Sequence, residues 1–157
     1  MRTFNNAALQ FAVLACFIAL RLSTPGWWLV IFVGTVVGPL LALVPIITAV
    51  VTVRRGRHRP AVQAPYLACA VTLVTTGALF PDFGDVGGWR VPILHLFAPR
   101  AEYPEATVLA LGTVGEVAAV AYVASLAWLV VALMLTARTV DMTRYDSYPG
   151  SERPAGL

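Results

Sequence analysis

Four long apolar runs fill the sequence between residues 6 and 137, and each approaches the length of a bilayer crossing. A hydrocarbon core about 30 Å thick takes roughly 20 helical residues. Backbone placed in lipid has to satisfy its own N–H and C=O groups, so continuous runs of this length commit the chain to helices. Strict alternation over about ten residues, the mark of a transmembrane barrel strand, does not occur. Composition agrees: 59% of the 157 residues are hydrophobic and 12% are charged, where a soluble domain carries about 25% charge. The chain cannot supply a polar shell, and the sequence predicts an all-α integral membrane protein.

Charge sets the orientation. The only break between runs with a dense cluster of charge is Arg54-Arg55-Gly56-Arg57-His58-Arg59-Pro60. By the positive-inside rule Arg54, Arg55, Arg57 and Arg59 hold this loop on the cytoplasmic side, where they also meet anionic lipid. Four spans then put both termini inside, with eight arginines (2, 54, 55, 57, 59, 138, 144, 153) facing the cytoplasm against three (21, 90, 100) outside. All eleven basic residues are Arg. They gather at membrane edges with no aromatic-interleaved basic surface, which argues against nucleic acid as a partner.

The expected architecture is four transmembrane helices in two antiparallel hairpins within residues 1–138, spanning about 6–22, 27–53, 61–80 and 107–137. An outer loop occupies 81–105, and a disordered cytoplasmic tail occupies 139–157. Arg21 is expected to snorkel to the outer headgroups. Ser23-Thr24-Pro25-Gly26 makes the first turn, followed by Trp27 and Trp28 at the aromatic belt. The second span would be about 40 Å long as a straight helix, so Pro39 and Pro45 are expected to bend it. Within it Gly34-Thr35-Val36-Val37-Gly38 has the GxxxG spacing that lets backbones approach closely, and Gly112 and Gly115 offer a similar small face on the last helix. Thr72, Thr75 and Thr76 are expected to return their hydroxyls to carbonyls one turn back. The outer loop, with Trp89, Leu96 and Phe97, is expected to lie on the membrane surface or fold over the helices.

Four polar residues are candidates for function. Glu116 is the one acid well within an apolar run, and ionisable groups at membrane depth are functional candidates by default. Asp82 and Asp85 stand three apart at the start of the outer loop, where they either coordinate a cation or form a solvated turn; an EF-hand would need several further oxygen ligands. His95 shares that loop but lies across the membrane from His58, so the two cannot build one metal centre. Cys16 and Cys69 sit inside apolar runs and make no disulfide framework. A lipobox around Cys16 is disfavoured because apolar residues continue after it.

No catalytic residue, cofactor or metal site is expected, because no nucleophile-base pair, H-E-x-x-H, Walker loop or dinucleotide fingerprint is present. The leading expectation is a non-catalytic, multi-pass accessory or interaction subunit of the plasma membrane, partnered by lipids and by other membrane subunits or itself. The alternative is a small oligomeric transporter or channel-like protein for a cation or proton, drawing on Glu116 and the outer acids. A membrane enzyme using Asp82, Asp85 or His95 ranks third. Exclusive use of Arg, with abundant Ala, Val, Gly and Pro, fits a GC-rich bacterial inner-membrane protein.

Overall fold

The computed structural model describes residues 6–54, 60–83, 89–99 and 101–145. It is built almost wholly of helix: α1 (Asn6–Ser23), α2 (Trp27–Gly34), α3 (Val37–Arg54), a 3₁₀ turn (Pro60–Val62), α4 (Gln63–Leu79), α5 (Pro92–Phe97) and α6 (Glu105–Tyr145). Two strands of two residues, β1 (Asp82–Phe83) and β2 (Trp89–Arg90), pair antiparallel with Asp82 opposite Arg90. Three helical segments are long and apolar enough to cross a membrane, Asn6–Ser23, Val37–Arg54 and Glu105–Ala137; α4 is apolar but slightly shorter.

Proline and local polar groups set the boundaries. After α1, Ser23 Oγ donates to the Leu20 carbonyl at 2.6 Å and Pro25 follows two residues on, the usual punctuation of a helix end. Phe80 ends α4 in an extended conformation (φ −65°, ψ 118°), as a residue preceding proline prefers. Val91 does the same before Pro92, the first residue of α5, where a missing N–H costs nothing. Threonine hydroxyls along the helices bond back to carbonyls one turn earlier, including Thr72 to Ala68, Thr75 to Val71 and Thr76 to Thr72. This is the expected fate of those three residues.

The stretch expected as one bent span, 27–53, is two helices. α2 closes at Thr35, whose N–H donates to the Ile31 carbonyl. Val36 then adopts φ 59°, and α3 starts with Pro39 in its first turn. Pro39 cannot donate to the carbonyl four residues back and its ring would collide with that turn, so the chain breaks before it. Pro45 stays inside α3. The break also divides the GxxxG motif: Gly34 ends α2 and Gly38 lies in α3, so they share no helical face. A Cβ at Gly34 would meet nothing within 4 Å, whereas one at Gly38 would strike Phe32 of α2.

Contacts between helices give their directions. Gln10 near the start of α1 donates to the Tyr66 carbonyl near the start of α4 at 2.9 Å, and Arg21 at the end of α1 reaches Phe80 just past the end of α4. α1 and α4 therefore lie side by side and parallel. α6 packs extensively against α4 in the opposite sense, with Gly115 against Leu79 and Phe80, while α3 packs on α1 and meets α6 only sparingly. The core runs along these helices, where Phe17, Ala49, Tyr66, Cys69, Leu73, Leu126 and Leu129 are buried. α5 folds back over the upper ends of α1 and α4, leaving Trp89, Leu96 and Phe97 exposed.

α6 runs on to Tyr145, so residues 139–145 are helical rather than part of a disordered tail. Once a helix is running, each added residue gains a hydrogen bond for one pair of dihedrals, and no proline or glycine interrupts before Pro149. Residues 146–157 lie outside the described residues.

Candidate functional site

The polar groups at the upper end of the bundle converge on Arg21 and Asp82. Arg21 is 5% exposed and Asp82 2%; Arg21 Nη2 and Asp82 Oδ2 are 3.1 Å apart. Arg21 Nη1 donates to the Phe80 carbonyl at 2.7 Å, and Asp82 Oδ1 accepts the Trp28 N–H at 3.0 Å. Each contact meets a need of the backbone. Trp28 belongs to the first turn of α2, whose amides have no partner within the helix, and a carboxylate favours that positive end. Phe80 follows the last turn of α4, where carbonyls are left over and a cation is favoured. The pair thus ties the end of α1, the start of α2 and the end of α4 into one electroneutral knot. Trp28 adds an edge-on contact with Phe80, ring centroids 5.1 Å apart.

This corrects two expectations. Arg21 does not snorkel to headgroups; a buried carboxylate lies closer. Asp82 is neither a solvated turn residue nor free to hold a cation through the oxygens that face Arg21 and Trp28. Its former companion Asp85 lies outside the described residues, as do Arg55, Arg57, His58, Arg59 and Arg100. Arg54 ends α3 and is exposed. His95 is half-buried on α5. Among the described residues no three His, Cys, Asp or Glu side chains gather closely enough to hold a metal ion.

Below the knot lies a cavity of about 290 Å³, walled by α1, α2, α3, α4 and α6. Its polar groups are already engaged. Arg21 is paired, the Thr76 hydroxyl donates to the Thr72 carbonyl, and the Tyr122 hydroxyl donates to the Leu41 carbonyl at 2.9 Å. The last bond follows from the sequence. Pro45 has no N–H to give the carbonyl four residues earlier, which is that of Leu41, and Tyr122 of α6 supplies the missing donor.

Glu116 sits elsewhere. It is exposed and lines a groove of about 200 Å³ with Pro81, Trp89, Glu105, Val108 and Gly112. The preceding residue, Gly115, packs where an added Cβ would collide with the Phe80 nitrogen, so Glu116 lies level with the upper end of α4. Gly112 is looser, with Pro81 3.2 Å from the same added atom. The structure does not bring Glu116 together with Asp82, and among the described residues Glu116 makes no ion pair.

Sequence reasoning missed the Arg21–Asp82 pair and the Tyr122–Leu41 bond. Both had a signal. Arg21 is the one cation within an apolar run at that end, and Asp82 is the first acid after the neighbouring run. Pro45 announces an unfilled carbonyl that some facing hydroxyl has to satisfy. Comparison with protein-family models, curated proteins and solved structures finds no match to this chain.

Proposed function

We propose that the protein is a non-catalytic accessory subunit of a larger membrane assembly, inserted as two antiparallel hairpins with both termini in the cytoplasm. The supporting observation is the upper part of α6. From Gly115, level with Phe80, back to Glu105 is ten residues, about 15 Å of helix at 1.5 Å per residue. Below Gly115 the 22 residues to Ala137 measure about 33 Å, which fills the hydrocarbon layer. The extension therefore stands in or beyond the headgroups, yet it is apolar: Leu109 is 70% exposed and Val114 49%. Among the described residues the loop approaches it at Pro81 and Trp89, which share a groove with Leu109, and Val114 lies outside that groove. Apolar surface held out in water marks a contact site for protein, and a partner subunit would cover it. α2, with no buried residue, offers a second uncovered face.

The test is gentle extraction from the native membrane, with identification of every stoichiometric companion. Leu109→Arg is expected to remove the companion while insertion and thermal stability persist. Gly34→Ile probes the α2 face and is free of internal collisions, which Gly115→Ile is not. A chain that extracts as a monomer without companions overturns the proposal. Orientation is checked with single cysteines in a Cys16→Ala, Cys69→Ala background: Glu102→Cys should react with an impermeant maleimide from outside and Ser151→Cys only after the membrane is opened.

A second reading, an oligomeric cation or proton transporter, draws on Glu105 and Glu116 lining one groove. Reconstituted flux that is abolished by Glu116→Gln favours it, and flux that survives the change removes it.

A further inference from the structure

We propose that the cavity beneath the Arg21–Asp82 pair is a lateral binding site for one lipid acyl chain, with α2 as its movable wall. The inference rests on the bilayer placement above and is independent of any partner subunit.

Three observations carry it. The first is chemistry. Phe17, Phe32, Leu73, Ala119, Tyr122 and Val123 supply apolar walls, and the hydroxyls and guanidinium at the rim are spent on the protein itself. Arg21 is paired with Asp82, so the rim presents no unpaired charge to an anion and the walls below it are apolar. Cavities of this character stay dry and take hydrocarbon. The second is size and access. About 290 Å³ is roughly twice the ~150 Å³ that admits benzene, room for on the order of ten methylenes. A helix from another chain, about 10 Å across, would need several times that volume. The cavity is open on one side, where Trp28 of α2 and Val123 of α6 are exposed. Tyr122 lies seven residues below Gly115, about 10 Å, so the site occupies the depth of one leaflet's acyl chains and its mouth faces them.

The third is the wall. α2 buries none of its residues and is attached at its ends. Asp82 and Phe80 hold Trp28 at the top, and Phe32 rests on Phe17 with ring centroids 5.4 Å apart. At the bottom the chain passes through Val36 at φ 59°, a conformation that is strained for a β-branched residue. A rotation about residues 35 and 36 would widen the mouth at the expense of the Trp28 and Phe32 contacts alone, leaving α1, α4 and α6 packed on one another.

The test uses full-length protein in phosphatidylethanolamine and phosphatidylglycerol vesicles doped with a phosphatidylcholine that carries a diazirine at mid-chain. After photolysis, adducts are mapped by peptide mass spectrometry. Bulk lipid reaches exposed positions such as Val33 and Val120, whereas Phe17, Leu73 and Tyr122 are at most 8% exposed and are reached only from within the cavity. Adducts on those interior residues are expected, falling at least tenfold in Ala119→Phe and persisting in the lipid-facing control Val120→Phe. Ala119→Leu, a smaller filling, is expected to give an intermediate loss if the larger variant does not fold. Labelling confined to exposed residues, whether α2 or a second chain closes the site, overturns the proposal. No labelling anywhere overturns the bilayer placement with it.

Discussion

Removing either member of the Arg21–Asp82 pair tests whether the upper end of the bundle is locked from within. Both side chains are nearly inaccessible, so Arg21→Met takes from a buried carboxylate the guanidinium that faces it, and strips the Phe80 carbonyl of its donor. Breaking a buried pair from one side costs about 3–5 kcal/mol. Asp82→Asn keeps an acceptor for Trp28 but leaves Arg21 without its counter-charge, a loss of the same order. In Arg21→Met/Asp82→Leu no charge is left over. What remains is one amide and one carbonyl unpaired, about 1–3 kcal/mol each at most. The double variant should therefore cost clearly less than the two singles together, with a coupling energy of about 2 kcal/mol or more. Equilibrium unfolding in mixed micelles measures each corner of the cycle. Because the pair is buried, raising salt should leave the coupling almost unchanged. A snorkelling arginine and a solvated aspartate predict the opposite: single effects under about 1 kcal/mol, additive and salt-sensitive. That result would refute the knot.

Two tyrosines should respond with opposite signs. Tyr122→Phe removes the donor to Leu41 and should cost about 1 kcal/mol, a cost abolished in a Pro45→Ala background whose new N–H fills the same carbonyl. Tyr66 is fully buried and its hydroxyl has no partner among the described residues, so Tyr66→Phe should be neutral or stabilising by up to about 1 kcal/mol; unfolding midpoints compare the two. Val36→Gly should stabilise by about 1 kcal/mol, since the side chain is 64% exposed and only its backbone strain is lost. Gly115→Ala should cost about 1–3 kcal/mol by overpacking, because the added methyl meets the backbone of Leu79 and Phe80 rather than a side chain that can turn away; Gly34→Ala should leave the unfolding midpoint almost unmoved.

Helix content and the apolar segments were legible in the sequence because lipid leaves a spanning chain few options. Thr72, Thr75 and Thr76 were legible for the same reason: a hydroxyl in hydrocarbon takes the nearest carbonyl. The break at residues 35 and 36 was half legible. Pro39 and Pro45 both threatened the helix, and nothing in composition distinguishes a proline that ends up in a first turn from one carried inside. Gly34 and Gly38 misled because a motif read as a face assumes an unbroken helix. Glu116 stood out as the one acid well within an apolar run, and Gly115 against Phe80 sets it level with the end of α4. Arg21 and Asp82 carried a signal as the cation and the first acid at that end, but their pairing depends on α1 lying beside α4, an adjacency between non-consecutive helices.

That relation also explains the polar construction above the cavity that Phe17, Leu73 and Tyr122 line. α1 and α4 run in the same direction, so their upper ends present leftover carbonyls and no amides to each other. Leftover carbonyls of like sign cannot satisfy one another. Arg21 resolves this by serving Phe80, and Asp82 then neutralises Arg21 and captures the free amide of α2. The arrangement holds α2 at the rim, and the break before Pro39, at Val36, lets α2 lie there apart from α3. Without that break the same residues would form one helix running directly past α1, leaving less room above Leu41 and Tyr122. The ion pair and the cavity are therefore one construction. Asp82→Asn should loosen the top of α2 while leaving the Val36 end intact, which predicts more acyl-chain labelling at Leu73 in that variant than in the native chain. Labelling that falls instead would mean the pair holds the cavity open rather than holding its wall in place.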